Sequence, residues 1–169
     1  MQKNFSYHFI LCLGLFCVVW LSTAASAQSY GGSEHKGYGY AYVGGFGNEY
    51  SGGGLTAGIG GDGLVYKGAS LGGDFTVHAP QAKWGRTYGL AALNGGYHFS
   101  NAEGKLVPFV SGGPMAFFGD GVGFGFHAGG GVNYWFKERL GARFEFRTHV
   151  PVNTDLRPFY GFRAGITFR

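Results

Sequence analysis

From Leu140 onward the chain alternates residue by residue. Leu140, Ala142, Phe144, Phe146 and Val150 interleave with Arg143, Glu145, Arg147 and His149. After a short break, Tyr160, Phe162, Ala164, Ile166 and Phe168 interleave with Gly161, Arg163, Gly165 and Thr167. A period of two belongs to a β-strand, whose successive side chains leave opposite faces of a sheet. No helix keeps either set on one side. The fold must therefore be a sheet with one apolar face and one polar face.

The same theme runs back to Gly37, and no window shows apolar residues at helical spacing with caps. Eight strands are expected. The first covers about Gly37–Gly47, with Tyr38, Tyr40, Tyr42 and Phe46 on one face. The second covers about Gly54–Gly60, with Leu55, Ala57 and Ile59 together, and Asp62-Gly63 reads as a tight hairpin. The third covers about Leu64–Val77. Its odd positions Val65, Ala69, Leu71, Phe75 and Val77 lie opposite Ser70, Asp74 and Thr76. The fourth covers about Trp84–Phe99 and sets Leu93, Tyr97 and Phe99 against Arg86, Asn94 and His98. The fifth covers about Leu106–Phe118, where Pro114 withholds a ladder donor and predicts a bulge; its faces stay unassigned. In the sixth, about Val122–Phe136, Phe124, Phe126, Val132, Tyr134 and Phe136 oppose His127, Asn133, Trp135 and several glycines. Leu140–Val150 and Arg157–Phe168 complete the set.

The N-terminal segment is different. Lys3, the apolar run Phe9–Leu21 and the Ala25-Ser26-Ala27 site read as a secretory signal cleaved after Ala27. Thirteen apolar residues fall short of the ~20 needed for a spanning helix. Neither Cys12 nor Cys17 follows a small residue, so a lipoprotein signal is not indicated. Both cysteines leave with the signal, which excludes disulfides and thiolate chemistry from the mature chain. The chain thus divides into a signal peptide over 1–27, a short polar lead over 28–36 and a barrel over 37–169.

Alternation alone does not say which face points inward. A soluble, secreted lipocalin-like barrel would turn the apolar face in; a membrane barrel would turn it out. Composition decides. A water-facing surface is roughly 25–35% charged, whereas charged residues make up 13% of this chain. The mature lysines (Lys36, Lys67, Lys83, Lys105 and Lys137) all fall in the lead, in turns or near strand ends. The mid-strand charges on the polar face are Asp74, Arg86, Arg143, Glu145, Arg147 and Arg163, of both signs, as a closed interior requires. Glycine gathers on that face too, at Gly123, Gly125, Gly129, Gly131, Gly161 and Gly165. This leaves room inside a narrow barrel for Trp135, Tyr88 and the arginines. Tyr38, Tyr97, Phe99, Tyr134, Phe136, Tyr160 and Phe168 recur near strand ends, as interfacial girdles do. The expected fold is an all-β, eight-stranded antiparallel up-and-down transmembrane β-barrel.

The chain from Gly37 onward resembles the small outer-membrane β-barrel family, the OmpA-like transmembrane domain and its eight-stranded relatives. The resemblance rests on Gly95-Gly96-Tyr97-His98-Phe99, on Val107-Pro108-Phe109-Val110-Ser111-Gly112-Gly113, on Phe126–Val132, on Leu140–Arg147, and on the closing Gly165-Ile166-Thr167-Phe168. It implies an integral outer-membrane protein with outer-membrane lipid as its surroundings. It also implies that Gly165 and Phe168 belong to a C-terminal signal read by the barrel-assembly machinery. The family usually ends on the aromatic residue, whereas here Arg169 follows Phe168. The outer connections, about Asn48–Gly53, His78–Lys83, Gly119–Gly121 and Pro151–Asp155, are short. A loop-borne receptor or adhesin role is therefore not indicated, and neither is a second, peptidoglycan-anchoring domain.

Little chemistry is written into the strands. His98-Phe99-Ser100-Asn101 is similar to the His-x-Ser-Asn stretch of lipid A deacylases, where His activates Ser. That pattern needs an acid on the next strand. Leu106–Phe118 holds none, and Glu103 lies in the turn. The expectation is therefore no enzyme, no catalytic residue and no cofactor. The histidines His35, His78, His98, His127 and His149 show no metal-ligand spacing. A net charge of +4 for the full chain, without aromatic–basic interleaving beyond the barrel pattern, does not indicate nucleic acid. The charge stripe reads as a salt-bridge cluster filling the lumen of a monomer with a structural, envelope-integrity role. The alternative is a lining for a narrow pore.

Overall fold

A computed structural model describes residues 37–48, 52–81, 86–99, 105–152 and 157–169. The signal segment, its cleavage residues Ala25 and Ala27, and the polar lead lie outside the described residues. Eight strands run in chain order: β1 (Gly37–Asn48), β2 (Gly52–Tyr66), β3 (Ala69–Pro80), β4 (Tyr88–His98), β5 (Leu106–Phe118), β6 (Val122–Lys137), β7 (Leu140–Pro151) and β8 (Phe159–Phe168). Each pairs antiparallel with its neighbours, and β8 pairs with β1, so the sheet is a closed barrel.

The register fixes the dimensions. Successive partners from Gly37 are Gly63, Leu71, Gly95, Gly112, Ala128, Thr148 and Tyr160, and Tyr160 pairs back to β1 at Gly47. One circuit thus shifts the register by the ten positions between Gly37 and Gly47. With strand rise and spacing of about 3.3 and 4.8 Å, that stagger tilts eight strands by roughly 40° and gives a backbone radius of roughly 8 Å. Opposite walls are then about 16 Å apart, within reach of two facing side chains.

The exterior is apolar. Phe124, Phe126, Phe144, Phe146, Phe162 and Ile166 all project outward; Phe144 is 45% exposed and Phe146 52%. The intervening residues are interior: Arg143 is 2% exposed and Arg147 0%. The alternation predicted for β7 and β8 is therefore realised with its apolar face outside.

Four expectations are corrected. The β2–β3 hairpin turns at Lys67-Gly68, not at Asp62-Gly63. Both turn residues have positive φ, 42° and 91°, as a type I′ turn requires. β2 therefore runs through Asp62, which pairs with Tyr38 and Gly72. Second, Tyr38 is not in the girdle: its hydroxyl faces inward and donates to Asp62 Oδ2 at 2.8 Å. Third, Arg86 lies outside the strands and pairs with Asp120 at 3.0 Å on the surface. Fourth, Pro114 makes no bulge, because the β4–β5 register is the same on both sides of it. The pairs Ala92–Met115 and Gly95–Gly112 persist, while the two between them are missing.

That gap has a local repair. Pro114 lacks the N–H that would face the Leu93 carbonyl. His127, pointing inward from β6, places Nε2 3.0 Å from that oxygen. The Nε2–H takes the place of the missing backbone donor. The faces of β5 also become readable: Phe109, Met115 and Phe117 point inward, Val110 and Pro114 outward.

The aromatic rings inside need glycine on neighbouring strands. A Cβ at Gly131 would collide with the Phe144 carbonyl oxygen and meet the Phe109 ring at 2.8 Å. One at Gly60 would meet the Tyr40 ring at 2.6 Å. The inward glycines are thus seats for specific rings as well as general room.

Two stability tests follow from this arrangement. In folding titrations into lipid vesicles, Phe146→Arg should cost about 2–4 kcal/mol and Phe146→Leu far less. His127→Ala should cost about 1–3 kcal/mol by leaving the Leu93 carbonyl unpaired. Adding Pro114→Ala to that variant should recover part of the loss, because alanine restores the backbone donor. An absence of recovery would remove His127 from this role.

Candidate functional site

The interior is stacked in three layers, named here by the barrel's ends. The terminus end holds Gly37 and Phe168, and the loop end holds the β1–β2, β3–β4, β5–β6 and β7–β8 connections. Alternation along β7 and β8 lines up Arg143, Glu145, Arg147 and Arg163 on one wall. Asp62 of β2 and Asp74 of β3 face them. The buried charges among the described residues are three arginines and three acids. Replacing Arg86 with Asp62 in the predicted set turns a cationic cluster into a balanced one.

Glu145 is the hub. Its Oε2 accepts from Arg143 Nε and Nη2 at 3.2 and 3.1 Å. Its Oε1 accepts from Arg147 Nε at 2.8 Å and from Arg163 Nη2 at 2.8 Å. Asp74 is the counterpart on the far wall. It accepts from Arg147 Nη1 at 2.8 Å and Asn94 Nδ2 at 3.0 Å, and Arg163 Nη1 lies 3.4 Å away. Strands β3 and β7 are four apart in a ring of eight, so the Arg147–Asp74 pair crosses the full width of the lumen. Asp62 completes the set, 3.9 Å from Arg143 Nη1.

Tyrosines and amides fill the remaining valences. Arg163 Nη1 donates to the Tyr42 hydroxyl at 2.6 Å, and Tyr42 bonds Asp74 and, closely, Thr76. Arg143 Nη1 donates to Tyr38 Oη at 3.1 Å and Asn133 Oδ1 at 3.3 Å. Aromatic faces cover the guanidinium planes: Arg143 Cζ is 3.9 Å from the Phe109 ring centre and 4.3 Å from that of Tyr40. Burying this many charges is costly unless every one is paired and bonded. Their sequence separation, up to 121 residues for Arg163–Tyr42, makes the network a product of barrel closure.

Aromatic layers close both ends. Toward the termini, Tyr38 meets His98 and Trp135 edge-on at 5.5 and 6.1 Å. Toward the loops, His78 stacks on Tyr88 at 5.0 Å and His149 on Phe159 at 4.5 Å. Leu90, Ala92, Met115 and Phe117 pack with Phe159 there as an apolar core. That core is the part of the interior that polar alternation did not announce.

Of the predicted cluster, Asp74, Arg143, Glu145, Arg147 and Arg163 meet, and Arg86 does not join them. Asp62 was missed, although a signal existed. Leu55, Ala57 and Ile59 put the odd positions of β2 outside, so Asp62 continues the inward phase. The His98 of the deacylase-like stretch places Nε2 3.2 Å from the Tyr38 hydroxyl. Ser100, Asn101 and Glu103 lie outside the described residues. Among the described residues no three His, Cys, Asp or Glu side chains are grouped to hold a metal. Gly165 and Phe168 sit on β8, Phe168 outward and paired with Gly39 of β1.

A closed eight-stranded sheet, greasy outside and charged inside, has the fold of the small outer-membrane β-barrels. Solved structures share it. The N-terminal barrel domain of Pseudomonas aeruginosa OprF matches with a TM-score of 0.60 at 16% identity, over 79% of this chain and 97% of its own. Neisserial surface protein A matches with a TM-score of 0.65 at 12% identity, over 79% and 97%. A de novo designed transmembrane β-barrel matches with a TM-score of 0.58 at 14% identity, over 80% and 97%. No protein-family model matches the sequence, and no curated protein matches it. These likenesses establish the fold.

Removing one hub oxygen pair's charge tests the network. Glu145→Gln leaves three guanidinium groups facing two carboxylates and should cost about 3–5 kcal/mol in a urea titration of the folded barrel. Arg86→Gln should leave the midpoint unchanged, because that pair is exposed.

Proposed function

We propose that the chain is an integral outer-membrane barrel with a sealed lumen and a structural, envelope-integrity role. The observation that carries this reading is the Arg147–Asp74 pair. It bridges opposite walls at 2.8 Å with both side chains fully buried. An ion would have to break a balanced network and pass two aromatic layers to cross. The apolar belt supports the membrane assignment. A sheet without water to bond its edges must close, and this one does. Within the same reading, Met1–Ala27 is the export signal. Gly165 and Phe168 serve recognition by the barrel-assembly machinery, the surroundings are outer-membrane lipid, and the barrel is monomeric.

Planar-bilayer recording tests the seal. Wild type should show no steady current, and Arg147→Ala should give brief openings because it removes the side chain that bridges the two walls. A steady wild-type current would replace the structural role with that of a narrow pore. Location is checked by membrane fractionation and by gel migration that shifts only after boiling.

A further inference from the structure

We propose that the rim at the terminus end docks the headgroups of anionic phospholipids in the leaflet it meets. This rests on the membrane reading above. The two ends of the barrel differ in charge. Lys67 stands in the β2–β3 turn, Lys105 at the start of β5, Lys137 and Arg139 at the β6–β7 turn, and Arg169 after β8. Every strand connection at this end, and the end of β8, therefore carries a cation. All but Arg169 are exposed. Glu138 is the single acid on this rim among the described residues, and the sequence between β4 and β5 adds Glu103. The loop end has no such excess. Arg86 is paired with Asp120 at 3.0 Å, and the connections there contain Arg157, Lys83, Glu49 and Asp155, so the signs balance.

The rim is also placed at the right depth. Tyr66, Tyr97, Phe99, Tyr134, Phe136 and Phe168 project outward near this end and would lie at the interface, where aromatic rings of barrels gather. Lys67, Lys137 and Arg169 each directly follow one of these residues. A lysine stem in that position extends past the aromatic band and carries its ammonium to the phosphate level. Lys67 Nζ lies 5.1 Å from the Tyr66 ring centre, so its ammonium stands beside the band. Arg169 is held differently. Its Nε donates to the Glu138 carbonyl at 2.8 Å and its guanidinium covers Trp135 at 4.2 Å. It locks the rim, and the four exposed cations are left to meet the lipid. Cations spread around the whole circumference suit many headgroups in an annulus better than one bound anion.

Spin-label lipid selectivity tests the proposal on the full mature barrel in phosphatidylcholine vesicles. Spin-labelled phosphatidylglycerol should be enriched over spin-labelled phosphatidylcholine in the motionally restricted shell by about threefold at low salt. The ratio should fall toward one in about 1 M salt, where the screening length is about 3 Å. The combined Lys67→Gln, Lys105→Gln, Lys137→Gln, Arg139→Gln variant should lose the enrichment. Arg86→Gln with Arg157→Gln, at the other end, should keep it. Equal ratios for wild type, or equal loss in both variants, would overturn the proposal. Heat-shifted gel migration confirms that each variant is folded. A complete absence of restricted lipid would instead refute the membrane reading itself.

Discussion

Backbone hydrogen bonding is the constraint on which this structure depends. An open sheet edge needs water or another strand, and a bilayer core offers neither. Closure of β8 onto β1 satisfies the edge, and the ten-position stagger then dictates tilt and radius. From the radius follows everything inside. Roughly 16 Å between walls is wide enough to need filling and narrow enough for long side chains from opposite strands to meet. The break in the β4–β5 ladder at Pro114 shows how strict the rule is. A histidine side chain from the next strand stands in for a single absent N–H.

The interior then has to reconcile burial with charge. Arginine reaches across such a gap and supplies several donors in a planar fork, which explains its use in place of lysine. Glu145 accepts from three arginines and Asp74 receives the one that crosses the lumen. Neutrality of the set is the physical condition for its existence. An unmatched guanidinium in this layer would face neither solvent nor counter-charge. Tyr38 and Tyr42 on β1 serve both demands, with rings against arginine planes and hydroxyls on carboxylates.

Most of the fold was legible because period-two alternation is a direct consequence of strand geometry. Strands β5 to β8 were located nearly to the residue, and low charge together with mixed-sign mid-strand residues identified the inner face. The errors share one cause: a local signal outvoted by the register. Asp62-Gly63 has the composition of a hairpin turn, yet Lys67-Gly68 takes the positive-φ positions, and Asp62 is carried inward with its strand. Tyr38 fits a girdle by composition but falls on the inward phase of β1. Arg86 was given an inward phase by extending β4 too far toward its start. That Asp74, Glu145, Arg147 and Arg163 share one cluster was legible, but the reach of Arg147 and Arg163 across the lumen to Asp74 was not, since only barrel closure brings β3 to face β7 and β8.

The division of charge also explains the oddity at the chain's end. An arginine after the last outward aromatic would be unfavourable if it had to enter the bilayer core. Arg169 does not. It folds over Trp135 and onto the β6–β7 turn, so the same residue closes the lumen's terminal layer and joins a cationic rim. Charge in this barrel is thus kept to the lumen and the rims. In the lumen it is neutralised internally, so the wall can be buried. At one rim it is left in excess, where water and headgroups can take it up. The apolar exterior between those two zones is possible because neither of them sends a charge through it.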